Sequence, residues 1–183
     1  RVIAVSYFIK DILIRRYGIP ADKIQVIHNA VSKEKSIEKF GIHNNLKEKI
    51  VLFLGRITFQ KGPEYFIETA KKVIKEVPNV RFVMAGSGDM FNRMVEMAAR
   101  LRIGSNFHFT GFLKGRQVER MYALSDLYVM PSVSEPFGIT PLEAILYDVP
   151  VIVSKQSGVA EVLDHAVKVD FWDTDKLAAS IID

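Results

Sequence analysis

Two carboxylates, Glu135 and Glu143, lie eight positions apart in the run Ser134–Ala144. Thr140 and Pro141 are residues that often begin a helix, and a Thr followed three positions later by a Glu is typical of a capping box. We therefore predict that Thr140 caps a helix whose N-terminus offers backbone N–H groups and a partial positive charge to an anion. A carboxylate, an anion site and a second carboxylate suit a ligand with hydroxylated parts on either side of phosphates, such as a nucleotide sugar. A capped helix after a surface loop explains the same residues without any ligand.

Two cations, Arg56 and Lys61, lie five positions apart, and each has a glycine beside it, Gly55 and Gly62. Arg can hold a phosphate with two parallel donors, and Lys adds a mobile positive charge. The glycines allow a backbone to come close to a ligand. The P-loop sequence Gly-x-x-x-x-Gly-Lys-Ser/Thr is absent, which disfavours a P-loop NTPase. An ordinary strand–helix turn with solvated cations is the alternative.

Two further loops carry glycines. Gly86–Asp89 lacks the spacing of a dinucleotide fingerprint, and a tight turn in which Asp89 caps the next helix also explains it. Gly111, Phe112 and Leu113 offer backbone groups and an aromatic side chain to a planar base, although Phe112 could instead pack in the core or at its rim.

These loops follow short apolar runs in a regular alternation of strands and helices. The predicted strands are Ile50–Leu54, Val80–Ala85, Asn106–Thr110, Leu127–Met130, Val149–Val153 and Ala166–Val169. The predicted helices are Pro63–Val77, Met90–Leu101, Gln117–Leu124, Thr140–Tyr147, Val159–Leu163 and Thr174–Ile182. Short, continuously apolar strands that alternate with helices indicate a parallel sheet covered on both faces. We predict an α/β fold with a doubly wound, Rossmann-like parallel sheet, in which the loops after the strands meet at one edge and bind the ligand.

The residues before this alternation read as a separate part of the chain. Its predicted elements are a strand at Arg1–Val5, a helix at Tyr7–Tyr17 capped by Ser6 and ended by Gly18, a strand at Ile24–Ile27 and a short helix around Lys33–Phe40. We place residues 1–44 at the end of a preceding domain with its connector, and residues 45–183 in the ligand-binding domain. Because the sequence starts inside an apolar run, we expect it to be a piece of a longer protein.

Composition excludes several functions. The chain of 183 residues has no Cys, so disulfides, thiolate metal sites and Cys nucleophiles are excluded, and its four His show no metal-ligand spacing. No apolar run approaches the ~20 residues of a membrane span, and no signal peptide is visible. Residues 1–49 hold ten Lys and Arg against five Asp and Glu, interleaved as on a solvated face. We expect no nucleic-acid partner and a cytoplasmic protein, with peripheral attachment at the inner face of the membrane left open.

Taken together, the motifs resemble those of glycosyltransferase family 4, which are retaining enzymes of the GT-B fold. The matching motifs, in order, are Gly55-Arg56-x-x-x-x-Lys61-Gly62, the loops at Gly86 and Gly111, Glu135-x7-Glu143 and Ser157-Gly158-x-x-Glu161. The resemblance covers essentially the whole chain and implies that it is the C-terminal, donor-binding half of a GT-B fold, preceded by the end of the N-terminal domain. Two mild departures are Ser157-Gly158 in place of Gly-Gly, and Asn29-Ala30-Val31 in place of Asn-Gly-Val, which concerns the hinge rather than the chemistry.

The resemblance also implies roles for single residues. Arg56, Lys61 and Glu135 are the implied catalytic residues: the two cations would bind the donor diphosphate and stabilise it as it leaves, and the carboxylate would face the donor sugar near its anomeric centre. Glu143 would accept hydrogen bonds from the ribose, because a carboxylate can accept from two neighbouring hydroxyls at once. The other implied donor-site residues are Gly138, Ile139 and Thr140 with backbone N–H groups at the diphosphate, Phe112 and Leu113 beside the base, and Gly55 and Gly86 in the glycine loops.

The implied reaction transfers a hexose from a nucleoside diphosphate sugar to an acceptor with retention of configuration. No metal or cofactor is expected, because Arg56, Lys61 and the helix N-terminus would meet the charge of the leaving group. A glycan, lipid or small-molecule acceptor would be held by the N-terminal GT-B domain, so residues 1–183 alone should bind donor and be nearly inactive. The alternatives are a nucleotide-binding regulatory or scaffold module without turnover, and a GT-B phosphorylase or epimerase, although no pyridoxal-lysine motif of a phosphorylase is visible. Glycoside hydrolysis is disfavoured, because it has no role for phosphate-binding cations.

Overall fold

The structure, a computed structural model, describes residues 1–32 and 48–183. The predicted short helix around Lys33–Phe40 and the predicted domain boundary after residue 44 lie outside these residues, and both stay predictions. The described strands are β1 (Val2–Ala4), β2 (Ile24–Val26), β3 (Lys49–Leu54), β4 (Val80–Ala85), β5 (Phe107–Gly111), β6 (Leu127–Met130), β7 (Val151–Ser154) and β8 (Val167–Val169). The described α-helices are α1 (Tyr7–Tyr17), α2 (Pro63–Glu76), α3 (Phe91–Arg100), α4 (Arg116–Leu124), α5 (Thr140–Leu146) and α6 (Thr174–Ile182).

Strands β3 to β8 form one parallel sheet of six strands in the order β5-β4-β3-β6-β7-β8. The chain therefore adds strands in one direction from β3 and then returns to add β6 on the other side of β3. The loops that follow β3 and β6 leave the sheet at this switch point, where ligands bind in open α/β sheets. The predicted α/β fold with a doubly wound parallel sheet is confirmed.

The sheet is buried on both faces because its strands alternate side chains between two apolar clusters. In β3, Val51 and Phe53 join the cluster that includes Phe66 of α2, while Ile50 and Leu52 join the cluster on the opposite face. Helices α2, α3 and α6 cover the first face, and α4 and α5 cover the second. A fully buried side chain of this size contributes roughly 1.5–3 kcal/mol, so the two clusters make the sheet a rigid support for its loops.

Strands β1 and β2 form a separate two-stranded parallel sheet beside helix α1. Ser6 caps α1 as predicted, since its hydroxyl accepts a hydrogen bond from the N–H of Ile9 at 3.1 Å. The helix ends at Gly18, which adopts a left-handed φ of 65°. None of the described helices combines the length and the apolar composition that crossing a bilayer requires.

Three local predictions are wrong. The segment predicted as a helix at Val159–Leu163 is a short 3-10 turn over Gly158–Glu161, held by i to i+3 bonds such as that from Val162 N to Val159 O at 3.1 Å. Asp89 does not cap α3: the capping position is Met90, which makes no side-chain capping bond. The predicted capping box of α5 is also absent, because Ile139 takes the capping position and the Thr140 hydroxyl binds elsewhere, as described below.

Candidate functional site

The carboxyl ends of three neighbouring strands are tied together by backbone hydrogen bonds. The N–H of Gly55, after β3, donates to Ala85 O at 3.0 Å, and the N–H of Gly86, after β4, donates to Gly111 O at 2.9 Å. A mostly apolar cavity of about 240 Å³ opens beside these ends. Five of the predicted donor-site residues line it: Gly55, Arg56, Gly86, Phe112 and Leu113. The structure therefore brings these five residues together at the predicted edge.

Two glycines at this edge allow neighbouring loops to touch. Gly86 has a φ of 144°, and a Cβ placed there would lie 1.8 Å from Gly55 O. Gly62 has a φ of 66°, and a Cβ there would lie 2.0 Å from Pro131 O at the end of β6. Both positions exclude a side chain for steric and conformational reasons. In the described structure, therefore, these glycines permit loop-on-loop packing.

The ammonium of Lys61 forms an ion pair with the carboxylate of Glu135 at the switch point, and the two side chains are only 20% and 11% exposed. Lys61 ends a 3-10 turn that starts at Phe59, and Gly62 then redirects the chain into α2. The backbone of Glu135 is fixed on both sides, since its N–H donates to Gln156 O and its carbonyl accepts from Gly158 N, both at 3.0 Å. Lys61 and Glu135, two of the three predicted catalytic residues, therefore contact each other. Arg56 is exposed and has no hydrogen bond or ion pair within the described residues.

The first turn of α5 follows directly from this loop. Gly138 has a φ of 94°, and the N–H groups of Gly138 and Ile139 have no acceptor among the residues that the structure describes. The Thr140 hydroxyl lies 2.7 Å from the hydroxyl of Tyr128, which also lies 3.2 Å from Leu54 O. The Glu143 carboxylate accepts a hydrogen bond of 3.0 Å from the hydroxyl of Tyr122. These buried phenols replace the capping box that the sequence suggested.

Tyr122 and Tyr128 were not predicted to take part in the site. In the sequence they occupy apolar positions of α4 and β6, and both are 1% exposed. Burial raises the pKa of both phenols well above the usual value, and neighbouring Glu143 adds to the rise, so both remain protonated at neutral pH. A signal was available, because a buried Tyr usually brings its hydroxyl to a polar partner where Phe would not.

Glu161, the last residue of the matched motifs, points away from the edge to helix α1. Its carboxylate accepts hydrogen bonds from the N–H groups of Tyr7 at 2.8 Å and Phe8 at 2.7 Å, and lies 3.0 Å from Nε2 of His28. Burial alone would raise the pKa of the Glu161 carboxyl, but the bonds from His28 and the two N–H groups lower it below its ordinary value. Glu161 thus binds the N-terminus of α1, and it is not among the residues that line the cavity beside Gly55 and Gly86.

The same contact region joins α1 to the loop that carries Glu135. The hydroxyl of Ser6 donates to Pro136 O at 2.7 Å. Gly158 lies against both, since a Cβ there would be 2.3 Å from Pro136 O and 2.5 Å from the Cβ of Ser6. We call this region, made of Ser6, Tyr7, Phe8, His28, Pro136, Gly158 and Glu161, the junction. It connects the N-terminal segment with the loop between β6 and α5.

Within residues 1–32 and 48–183, no group of three or more His, Asp or Glu side chains is placed to hold a metal ion. The predicted absence of a cofactor stays a prediction.

The geometry defines a doubly wound α/β domain whose loop edge carries Gly55, Arg56, Lys61 and Gly86. The family model described as glycosyl transferases group 1 matches residues 34–183, and the one described as glycosyltransferase family 4 matches residues 1–35. The chain therefore belongs to the group 1 glycosyltransferase family, and the resemblance seen in the sequence is confirmed.

Curated relatives agree with this assignment. The chain is 36% identical over 177 residues to an uncharacterised glycosyltransferase of Methanocaldococcus jannaschii, covering 91% of this chain and 45% of the relative. It is 32% identical over 164 residues to the O-antigen chain mannosyltransferase of Salmonella typhimurium, covering 90% of this chain and 44% of that protein. The chain thus spans less than half the length of these two relatives.

Solved structures show the same fold. HepE of Anabaena in complex with UDP-glucose matches with a TM-score of 0.84 at 23% identity, over 98% of this chain and 52% of that one. A glycosyltransferase from Rickettsia africae matches with a TM-score of 0.82 at 24% identity, over 99% of this chain and 52% of that one. The prediction that the domain is the C-terminal half of a GT-B fold is confirmed.

Proposed function

We propose that the protein is a retaining glycosyltransferase that binds a nucleoside diphosphate hexose and transfers the hexose to an acceptor. The observation that carries this proposal is the meeting of Lys61 and Glu135 at the switch point of the sheet. The two residues come from loops on different halves of the sheet, and both are mostly buried. Burying opposite charges at a ligand-binding edge is costly for stability, which favours a functional reason for the pair.

The base, ribose, diphosphate and hexose of the donor each find a suitable group along the edge. The cavity beside Gly86 and Phe112 is mostly apolar and suits a planar base. Glu143 suits the ribose hydroxyls. The diphosphate then reaches Arg56, and the hexose reaches Glu135. HepE of Anabaena, a structural neighbour, is described in complex with UDP-glucose, which supports a donor of this class.

The cations and the α5 N-terminus would stabilise the diphosphate as it leaves the hexose. As the anomeric carbon exchanges its bond to the diphosphate oxygen for a bond to the acceptor oxygen, the diphosphate keeps the electron pair, gains negative charge and can take up the proton that the acceptor hydroxyl loses. Arg56 carries no ion pair among the described residues and can turn to that charge, while Lys61 can share its ammonium between Glu135 and a phosphate oxygen. Preorganised donors that meet developing charge commonly contribute more to such catalysis than any other single effect. We propose that no metal ion is needed at this step.

The acceptor belongs to another part of the protein in this proposal. The relatives are more than twice as long as the stretch that matches them, which supports an N-terminal GT-B domain as the acceptor site. The chain described here would bind the donor and turn it over slowly or not at all. We also propose that the full protein works in the cytoplasm.

Calorimetric titration with UDP, GDP and ADP and with their glucose conjugates tests the donor site. We expect one base to bind, and we expect Arg56→Ala and Glu143→Gln to weaken it about 10-fold each, since a hydrogen bond to a charged group is worth roughly 1.5–3 kcal/mol. Arg100 is an exposed cation in the last turn of α3, so Arg100→Ala is the matched control and should bind like the wild type.

The same titration and a sugar-transfer assay on the full-length protein separate an enzyme from a binding module. Full-length protein that binds no nucleotide at millimolar concentration would refute the proposal.

A further inference from the structure

Two buried phenols lie directly beneath the first turn of α5. Tyr122 extends from α4 and Tyr128 from β6, and their rings are 6.1 Å apart. The hydroxyl of Tyr122 is 3.0 Å from Glu143 Oε2 and 3.3 Å from the carbonyl oxygen of Thr140. Both partners of Tyr122 thus lie in the turn that carries Glu143, the residue proposed to bind the ribose.

Each phenol has one proton, which decides the direction of the bonds. The two partners of Tyr122 can only accept, and Glu143 is both closer and charged, so the Tyr122 proton goes to Glu143. The partners of Tyr128 are a carbonyl, which can only accept, and a hydroxyl. Tyr128 therefore donates to Leu54 O and accepts from Thr140, which ties α5 to the end of β3.

The position of the Tyr122 hydroxyl is itself fixed. Its ring stacks on that of Tyr147, with centroids 5.7 Å apart and planes at 19°. Burial raises the pKa of the Tyr122 phenol far above its usual value, so the group stays a donor across the working pH range. The donor is therefore both permanently protonated and held in place.

A carboxylate on a Glu side chain otherwise rotates through a broad range about its last bond. The bond from Tyr122 removes that freedom and uses one of about four lone-pair positions. Within the described parts of the chain, no hydrogen bond reaches the other oxygen of Glu143, so enough acceptor positions remain for two neighbouring hydroxyls.

We propose that Tyr122 is a positioning residue: its phenol holds the Glu143 carboxylate in the orientation that accepts hydrogen bonds from the two ribose hydroxyls of the donor nucleotide. This inference rests on the proposed function. It adds that the Tyr122 phenol, by orienting Glu143, makes the site selective for a ribose. A site prepared to bind hydroxyls rejects an analogue that lacks them, because its polar groups are then left unpaired.

The test compares ribose and dideoxyribose binding. The nucleoside diphosphate that binds most tightly among UDP, GDP and ADP, and its 2′,3′-dideoxy analogue, are titrated into wild type, Tyr122→Phe and Tyr147→Phe. We expect Tyr122→Phe to weaken the ribose ligand about 10-fold and to leave the dideoxy analogue within about two-fold, as for one lost charge-assisted bond. Tyr147→Phe removes a hydroxyl from the stacked ring and should change neither affinity.

Thermal unfolding of each variant, and Tyr122→Phe in a Glu143→Ala background, complete the design. In that background Tyr122→Phe should cause no further loss of ribose binding. Equal weakening of both ligands by Tyr122→Phe, or weakening that persists without Glu143, would overturn the positioning role and leave the proposed function standing. Wild-type full-length protein that binds neither ligand would overturn the proposed function together with this inference.

Discussion

Glu143 and Glu161 lie on the same half of the sheet, after β6 and after β7, yet their surroundings differ. Within the described residues, Glu143 accepts one hydrogen bond, from the buried phenol of Tyr122. Glu161 accepts from two backbone N–H groups and faces an imidazole. Because a carboxylate can only accept, Nε2 of His28 must carry the hydrogen it shares with Glu161. In the part of the chain that the structure describes, protein donors thus use most of the acceptor capacity of Glu161 and leave most of that of Glu143 unused.

This difference separates a carboxylate that is mostly occupied by protein donors from one that is mostly unoccupied within the described residues, although both belong to the same family motif set. The two carboxylates differ in the number of hydrogen-bond acceptor positions that the fold leaves open. We expect substitutions at the junction to lower stability more than substitutions around Glu143, and substitutions around Glu143 to lower ligand affinity more.

The largest expected effect is that of Gly158→Ala in the junction. The new Cβ would lie 2.3 Å from Pro136 O, a backbone atom that cannot move without displacing the loop of Glu135. Overpacking against backbone costs roughly 1–3 kcal/mol, and we expect the upper end. Urea unfolding measures the change. Gly104→Ala, where nothing lies within 4 Å, is the control and should stay within about 0.5 kcal/mol. Equal stabilities of the two variants would contradict the close packing of the junction.

Glu161→Gln should have the next largest effect. An amide oxygen is a weaker acceptor for the α1 N-terminus, and lost caps cost roughly 0.5–2 kcal/mol. We expect a loss of about 1 kcal/mol at pH 7, since the side chain is 23% exposed and solvent screens part of the charge.

Glu143→Gln is the matched variant at the edge, because its amide oxygen can still accept from Tyr122. Its unfolding free energy should change by less than about 0.5 kcal/mol, as for a typical surface substitution. A larger stability loss at Glu143 than at Glu161 would reverse the comparison.

The pH dependence of stability sharpens the same contrast. The folded pKa of Glu161 is below its ordinary value of 4.5, so its ionised form stabilises the fold. That contribution is complete above about pH 4.5 and is lost as pH falls through the lowered folded pKa. The stability difference between wild type and Glu161→Gln should therefore shrink as pH falls below about 4.5. A difference that stays the same between about pH 5 and pH 3 would disprove this account of the carboxylate.

The smallest effect is expected for a charge pair on the outer face of α1. Asp11 and Arg15 form an i, i+4 pair whose side chains are 52% and 77% exposed. Such pairs contribute roughly 0.3–0.5 kcal/mol. Asp11→Asn should change the unfolding midpoint in urea barely measurably, and high salt should remove the difference. A loss as large as that of Glu161→Gln would mean that α1 is stabilised along its surface rather than at its N-terminus.

The sequence predicted the parts of the fold that follow from local patterns. Continuous apolar runs located every strand of the main sheet to within two residues, and the switch-point rule led to the meeting of Gly55, Gly86 and Phe112. The roles of the site residues in donor binding stay predictions, because no ligand contact tests them.

What the sequence could not predict depends on contacts across the chain. Thr140 has the sequence of a cap, but Tyr128, twelve positions earlier, engages its hydroxyl instead. Glu161 belongs to the matched motifs, but its partners Tyr7 and Phe8 lie more than 150 positions away. Local hydrogen-bonding preferences lose to partners that only the folded chain brings near.

The order of strands in the sheet has a consequence for synthesis of the protein. Lys61 and Glu135 are 74 positions apart, and the backbone of Glu135 is fixed by Gln156 and Gly158, which come later still. Contacts of such long range form only when the intervening chain is available and folded. When β3, β4 and β5 have left the ribosome, the glycines and cations of the edge are therefore present but their acidic partner is not. The growing chain completes the edge only once the residues after β7 have left the exit tunnel.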